Sequence, residues 1–411
     1  MYSRWLQYNL KEKLDWPYVH ILFGARQTGK STILKSLMPE NSRILDFSNL
    51  SERTRYLQKP ETLIEECLAI PKENVPQFVF IDEAQTVPLI FDCVQHLYDK
   101  DKNRWRFVMC GSSARKLRRT GANLLPGRSI IHYLYPLTLA EILHLGGDNE
   151  SLVLPFAWPE KVRDINRFPQ MDLLKMLTFG SLPGIATADE AAKSDVLKTY
   201  SSIFIEEEIR REAMLKDMGV FIRFITLAAA ESGSIINFSS ISREIGLSVP
   251  TIKSYYQILE DMFIGFSVPA FTKSPRKNIL STPKFIFFDI GVRNAATGMN
   301  LTIQEILANP GPVFEQWVGM ELWKRIKYLG EGALYYQRSK AGYEIDFIVE
   351  SKGNTIPVEV KWTEKPDFHD AKHLLTFIGE NRNCEEGFVV CRCPRPMQIH
   401  EKVKAIPWFM L

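Results

Sequence analysis

Two groups of residues in this sequence have the types and spacing that chemistry on phosphates requires. The first begins at Gly24-Ala25-Arg26-Gln27-Thr28-Gly29-Lys30-Ser31-Thr32, which fits the pattern G-x-x-x-x-G-K-[ST]. Glycines there let the backbone curl until successive N–H groups face one phosphate, at a helix N-terminus where partial positive charge collects. In that geometry Lys30 reaches the β- and γ-phosphates of ATP, and the Ser31 hydroxyl ligates Mg²⁺. The run Phe78-Val79-Phe80-Ile81-Asp82-Glu83 supplies the second part. Its four apolar residues predict a buried strand that delivers Asp82 to the C-terminal edge to hold the Mg²⁺ shell. Glu83 then polarises the attacking water. A third run, Arg106 to Cys110, ends in Gly111-Ser112-Ser113. A hydroxyl at that strand end, Ser112 ahead of Ser113, is placed to contact the γ-phosphate or the water.

The second group lies late in the chain. Glu344-Ile345-Asp346-Phe347-Ile348-Val349 reads as a strand, followed by Glu359 and Lys361 within Pro357-Val358-Glu359-Val360-Lys361. Glu359 and Lys361, two apart on a strand, point to one face, and a hairpin brings Asp346 to join them. Two carboxylates and a lysine at one point can hold Mg²⁺ and activate a water against a phosphodiester. Glu315, in Phe314-Glu315-Gln316-Trp317, is a candidate further metal ligand, ahead of Glu321. Lys361-Trp362 with Lys365 forms a basic and aromatic cluster suited to a nucleic-acid strand. His369 and His373, four apart, lack a third ligand and read as a solvated helix face.

These residues need elements to hold them. His20 to Phe23, Arg43 to Phe47, Phe78 to Ile81 and Arg106 to Cys110 predict strands; Ser31 to Leu37, Glu61 to Ala69 and Pro88 to Tyr98 predict helices. Alternation of this kind gives an α/β fold, a parallel sheet with helices on both faces. This part spans 1–147 and ends at Gly146-Gly147-Asp148-Asn149. Residues 148–232 read as a helical segment, within which Glu206-Glu207-Glu208 and Arg210-Arg211 form a charged helix face. Residues 233–300 hold a shorter unit. Phe238 to Ile245 is a helix, Gly246 a turn, and Val249 to Met262 a second helix capped by Ser248, with Pro250 in its first turn. Ile252, Tyr255, Tyr256 and Leu259 recur at core spacing. Thr251, Lys253, Ser254 and Gln257 lie elsewhere, on the kind of face that enters a DNA major groove. Phe266 to Thr272 and Phe285 to Asp289 predict a hairpin around the basic wing Lys273-Ser274-Pro275-Arg276-Lys277. Together these look like a winged helix, for which DNA contact and protein docking both stay open. Residues 301–411 open with a helix, Val313 to Lys327. Strands follow at Leu334 to Arg338, Tyr343 to Glu350, Thr355 to Trp362 and Glu386 to Cys391.

Bulk properties narrow the class. The 411 residues are 45% apolar and 24% charged, a globular composition long enough for several domains. A net charge of +3 argues for no particular partner, so any nucleic-acid contact must be local. Apolar runs are strand-length, short of a membrane span. Met1 to Leu10 lacks the unbroken apolar stretch of a signal peptide. The six cysteines are scattered and read as reduced thiols of a cytoplasmic protein.

The glycine loop with its internal arginine, Phe78 to Gln85, Gly111-Ser112-Ser113, Gly127-Arg128 and Pro136-Leu137-Thr138 resemble the AAA-type ATPases. The resemblance is closer to the family in which such an ATPase is joined to domain of unknown function 4143. Arginines follow the fourth strand at Arg115, Arg118, Arg119 and Arg128. In such ATPases an arginine there is often given to a neighbouring subunit's ATP, so the resemblance implies Arg128 as an arginine finger. It also implies a homo-oligomer, a ring or spiral of about six copies. No clear second sensor arginine stands in the helical segment, a departure from the pattern. The late acid followed by acid-x-lysine resembles the restriction-endonuclease-like core. The combination implies an ATP-driven machine acting on nucleic acid, DNA favoured, with a nuclease-like last domain. The alternative is a non-cutting ATP-dependent DNA-binding or signalling regulator.

Overall fold

The computed structural model describes residues 2–112, 125–143, 172–204, 210, 217–272, 281–338 and 343–411. Ser113, Arg115, Arg118, Arg119, the break at 146–149, the acidic run at 206–208 with Arg211, and the basic wing at 273–277 lie outside the described residues. The four sequence segments pack as two compact units. One is Ser3–Pro136 with Asp261–Ile264; the other is Leu137–Glu260 with Gly265–Leu411 and the first two residues.

The first of these is built on five strands: β1 (Val19–Phe23), β2 (Arg43–Asp46), β3 (Gln77–Asp82), β4 (Trp105–Gly111) and β5 (Ser129–Tyr133). All pairings are parallel, in the order β2-β3-β4-β1-β5. Every residue of β1 and β4 is buried. Both faces are covered, so these strands read as unbroken apolar runs and not as an alternation. Helices Lys30–Leu37, Thr62–Ala69 and Ile90–Lys100 join them. Phe47, Tyr56, Leu63, Phe91, Leu97 and Phe107 are among the core residues of this unit. The chain leaves β1 for the far edge at β2 and returns through β3 and β4, then passes β1 to reach β5. The C-terminal ends of β1 and β4 therefore form the switch-point crevice where α/β sheets bind ligands. Strand β5, half-buried at the sheet edge, was not among the expected strands.

In the second unit, helices Leu173–Phe179, Glu190–Thr199 and Met218–Ala230 precede helices Phe238–Ile245 and Val249–Asp261. Gly246 turns between the last two with φ 78°. Ile252, Tyr255, Tyr256 and Leu259 are buried, as their spacing predicts. An antiparallel pair follows, β6 (Gly265–Val268) with β7 (Lys284–Phe287). Asp289, expected at the end of that strand, instead caps helix Ile290–Ala296 by accepting from the Val292 N–H at 3.1 Å.

The remaining strands are β8 (Ala333–Arg338), β9 (Glu344–Ser351), β10 (Asn354–Val360), β11 (Gly387–Cys391), β12 (Met397–His400) and β13 (Val403–Pro407). They form one mixed sheet in the order β12-β13-β11-β10-β9-β8. On one face Phe314 and Trp317 of helix Pro310–Leu329 pack with Phe347, Val349, Val358 and Phe388. On the other, Leu374 and Phe377 of helix Phe368–Glu380 pack with Ile345, Ile348 and Val389. Among the described residues no helix is long and apolar enough to cross a membrane.

Candidate functional site

β1 ends at Phe23 and the next helix begins at Lys30, so Gly24 to Gly29 form the loop that the spacing predicts. Left-handed backbone at Gln27 (φ 60°) and Gly29 (φ 92°) curls it. Gly24 tolerates no side chain, because a Cβ there would stand 2.2 Å from the Leu134 carbonyl oxygen. The Thr28 hydroxyl donates to the Ala25 carbonyl at 2.8 Å. Arg4, just ahead of helix Trp5–Lys13, braces the loop from outside. Its guanidinium donates to the Thr28 carbonyl at 2.8 Å and to the Tyr135 carbonyl at 2.6 Å.

The Lys30 side chain is buried, and its ammonium donates to the Gly24 and Ala25 carbonyls at 2.9 Å each. Burial pulls its pKa down, while Cys110, Glu83 and Asp82 act in the opposite direction. Ser31 and Thr32 follow on the first helical turn, and Ala25 and Arg26 complete the loop.

Asp82 closes β3 as a buried carboxylate. Its Oδ1 accepts from the Glu83 N–H at 2.9 Å and from the Cys110 thiol at 2.7 Å. Burial and the Asp82 charge push the Cys110 pKa up, so the sulfur keeps its proton and donates. Glu83 adopts left-handed backbone, φ 52°. Ser112 is buried just past the end of β4. Between them lies Gln85, whose amide nitrogen donates to Glu83 Oε2 at 2.5 Å and to Ser112 Oγ at 3.0 Å.

The ends of β3 and β4 thus bring Asp82, Glu83 and Ser112 together, and Lys30 feels the charges of Asp82 and Glu83. Arg4, Gln85 and Cys110 are additions that the sequence reading missed. Gln85 and Cys110 stood inside the quoted runs, but neither carries a charge that singles it out. The loop curls around its own lysine, whose ammonium bonds the Gly24 and Ala25 carbonyls, the arrangement from which it can turn to a phosphate. Ser31 and Asp82 offer Mg²⁺ the oxygen ligands it prefers.

Arg128 is placed differently. Its carbonyl accepts from the Val19 N–H at 2.9 Å, so it precedes β5 at the sheet edge opposite the loop. Five strand residues separate the two edges, roughly 16 Å, which an arginine side chain cannot span. Its guanidinium pairs with Asp99 at 2.6 Å. Action on its own chain's loop is thereby excluded.

The late carboxylates sit where two strands meet irregularly. β9 and β10 pair as the expected antiparallel hairpin, with Val358 opposite Phe347. Against β8, Tyr335 faces Ile348 and Gln337 faces Ile345, so β9 carries one extra residue at Asp346–Phe347. This bulge re-aims Asp346, whose Oδ2 accepts from the Val360 N–H at 2.8 Å. Lys361 donates to Glu359 Oε1 at 2.7 Å, while Glu359 Oε2 is buried with no hydrogen-bond partner among the described residues. Burial raises the Asp346 pKa well above the usual range, reinforced by Glu315 and Glu359 and opposed by Lys284. Burial also raises Glu359, against the pull of Lys361.

Lys284 is the residue that the sequence reading missed here. From the start of β7 its buried ammonium lies 3.0 Å from Glu315 Oε1 and 3.2 Å from Glu344 Oε1. Burial lowers its pKa, but Glu315, Asp346 and Glu344 outweigh that and hold it above the ordinary lysine value. The expected ligands Glu315, Asp346 and Glu359 lie within electrostatic reach of one another, with Lys284 beside them. Among the described residues no three His, Cys, Asp or Glu side chains are grouped to hold one metal ion. Glu315 is drawn to Lys284 instead. Glu321 is structural: it is buried, pairs with Lys324 at 2.6 Å and accepts from the Leu139 N–H at 3.0 Å. Trp362 has the Arg392 guanidinium 4.3 Å above its ring, so that face is taken. His369 is solvated, as expected.

Comparison with known proteins gives three matches to family models. Residues 17–143 match the family model of an AAA domain. Residues 170–302 match domain of unknown function 8612, and residues 310–411 match domain of unknown function 4143. An uncharacterized protein of Haemophilus influenzae is 25% identical over 380 residues, covering 88% of this chain and 86% of that protein. Uncharacterized proteins of Mycobacterium bovis and Mycobacterium tuberculosis are each 23% identical over 391 residues, covering 91% of this chain and 79% of theirs. Among solved structures, PCH-2 of C. elegans aligns with a TM-score of 0.29 and 16% identity. That alignment covers 49% of this chain and 64% of PCH-2, less than two thirds of its length. A protein from Vibrio cholerae aligns with a TM-score of 0.19 and 11% identity. The chain therefore carries an AAA-type domain at residues 17–143 and a domain of unknown function 4143 at residues 310–411.

Proposed function

We propose that this chain is a Mg²⁺-dependent ATPase whose nucleotide cycle acts on nucleic acid, with DNA favoured, and whose C-terminal domain is nuclease-like. The observation that carries the ATPase reading is the meeting of Asp82, Glu83, Gln85 and Ser112 at the ends of two neighbouring strands, within electrostatic reach of Lys30. Lys30 and the loop N–H groups bind the phosphates, and Ser31 and Asp82 hold Mg²⁺, which neutralises charge on the phosphates when bound. Glu83 takes a proton from the attacking water, and buried Ser112 meets the terminal phosphate. Arg128, remote from its own loop, acts on a neighbouring copy in a homo-oligomer. Lys30→Ala abolishes nucleotide binding, whereas Glu83→Gln binds ATP without turning it over. Normal turnover in Lys30→Ala overturns the reading.

A second reading draws on Lys284. An ammonium already bonded to Glu315 favours a C-terminal domain that binds nucleic acid without cutting it. Labelled DNA and RNA incubated with Mg²⁺ and the wild-type chain separate the two. Cleavage lost in Asp346→Ala supports the nuclease; DNA-stimulated ATP turnover without cleavage supports the regulator.

A further inference from the structure

The turn after β3 holds an arrangement that phosphate binding does not explain. Gln85 is buried, and its amide nitrogen donates to Glu83 Oε2 at 2.5 Å and to Ser112 Oγ at 3.0 Å. An amide has two N–H bonds, so both are used. Its oxygen is buried with no hydrogen-bond partner among the described residues. Turning the amide over would set that oxygen against a carboxylate oxygen, so the charge of Glu83 fixes the orientation. The neighbouring backbone is fitted to it. A Cβ on Gly111 would lie 2.4 Å from the Gln85 Oε1, so a side chain at the end of β4 would displace the amide from its place. Glu83 itself holds φ 52°, a region that side-chain-bearing residues occupy at a cost. A purely packing role gives no reason to keep both a buried unpaired acceptor and a strained glutamate.

We propose that Gln85 is the positioning residue of hydrolysis, tying the carboxylate of Glu83 to the hydroxyl at the end of β4. One carboxylate oxygen is held by the charge-assisted N–H bond, leaving the other to receive the proton of the water. Because Ser112 is placed to meet the terminal phosphate, Gln85 makes the orientation of the base follow whether that phosphate is present. The inference rests on the ATPase reading above and deepens it.

Gln85→Glu tests it in the full-length chain, since it keeps shape and volume but replaces the N–H donor with an oxygen. We expect kcat to fall at least about 30-fold while affinity for a fluorescent ADP analogue stays within about two-fold. Retained ADP affinity shows that the site is folded. Gln85→Ala and Ser112→Ala each slow turnover, and the double variant is no slower than the slower single, as for two parts of one relay. Gln85→Glu keeping more than about a third of wild-type kcat, or independent multiplying effects in the double variant, overturns the proposal. Wild-type turnover lost in Glu83→Gln but kept in Gln85→Glu overturns this inference alone. A wild-type chain without turnover overturns the ATPase reading together with it.

Discussion

Replacing Lys284 by methionine removes a buried ammonium that is paired with a partly exposed carboxylate. Its contact with Glu315 is 3.0 Å, and the two side chains are 4% and 27% exposed. At an effective dielectric of about 20, such a contact is worth on the order of 5 kcal/mol before desolvation is subtracted. Glu344 is 43% exposed and screened by solvent, so its contact adds little. Breaking a buried pair from one side leaves the partner charge uncompensated and costs about 3–5 kcal/mol. Lys284→Met is therefore expected to destabilise the second unit by about that amount in denaturant titrations of the full chain followed by tryptophan fluorescence. Lys284→Met/Glu315→Gln removes both charges and recovers at least about half of the loss. Millimolar Mg²⁺ is expected to stabilise the single variant more than the wild type, because the carboxylates then lack their own cation. A loss below about 1 kcal/mol in the single variant, or no recovery in the double, refutes the view that Lys284 neutralises this cluster.

Further outcomes follow from other contacts. Gly24→Ala drives a methyl group into the Leu134 carbonyl and is expected to abolish ATP binding, measured by fluorescent nucleotide titration. His20 and His132, buried side by side with ring nitrogens 3.1 Å apart, are held by burial at pKa values of about 4 and about 3. Below pH 6.5 the unfolded chain takes up protons that the folded pair refuses, so stability falls as pH drops toward 4, by about 1.4 kcal/mol per pH unit for each histidine. His132→Leu is expected to make that slope shallower in pH-dependent denaturation; an unchanged slope contradicts the assignment. Arg128→Ala is expected to leave thermal stability and single-chain nucleotide affinity unchanged, since its pair with Asp99 is solvated. Any loss of turnover in that variant depends on chain concentration.

What the sequence made legible followed from local rules. The loop, Asp82 and Glu83 are contiguous motifs flanked by apolar strands, and the buried strands β1, β3 and β4 were readable because both faces of the sheet are covered. The β9–β10 hairpin was likewise readable from alternation. Missed features depend on neighbours distant in sequence. Gln85 gains meaning only when β4 brings Ser112 beside it, and Cys110 only when Asp82 lies across from its thiol. Arg4 stands in a segment whose composition suggests nothing about a phosphate loop. Lys284 looked like one more charge at a strand start, yet it decides the charge balance of carboxylates supplied by a helix and two other strands. Glu315, expected as a further ligand, is paired with Lys284. Arg128 was named by resemblance alone, and only the strand order showed that it belongs to the opposite sheet edge.

The bulge in β9 has a consequence for insertion and deletion. Side chains on a strand alternate between faces, so removing one residue at Asp346–Phe347 would restore the regular ladder with β8. Residues on both sides would keep their faces, because Ile345 and Ile348, three apart, already share one face across the bulge. The single residue left there would lie opposite Tyr336 in the regular ladder, so the extra position that re-aims the acid would be gone. For any homologue, the length of this strand is thus as informative about the carboxylate pair as the identity of its residues.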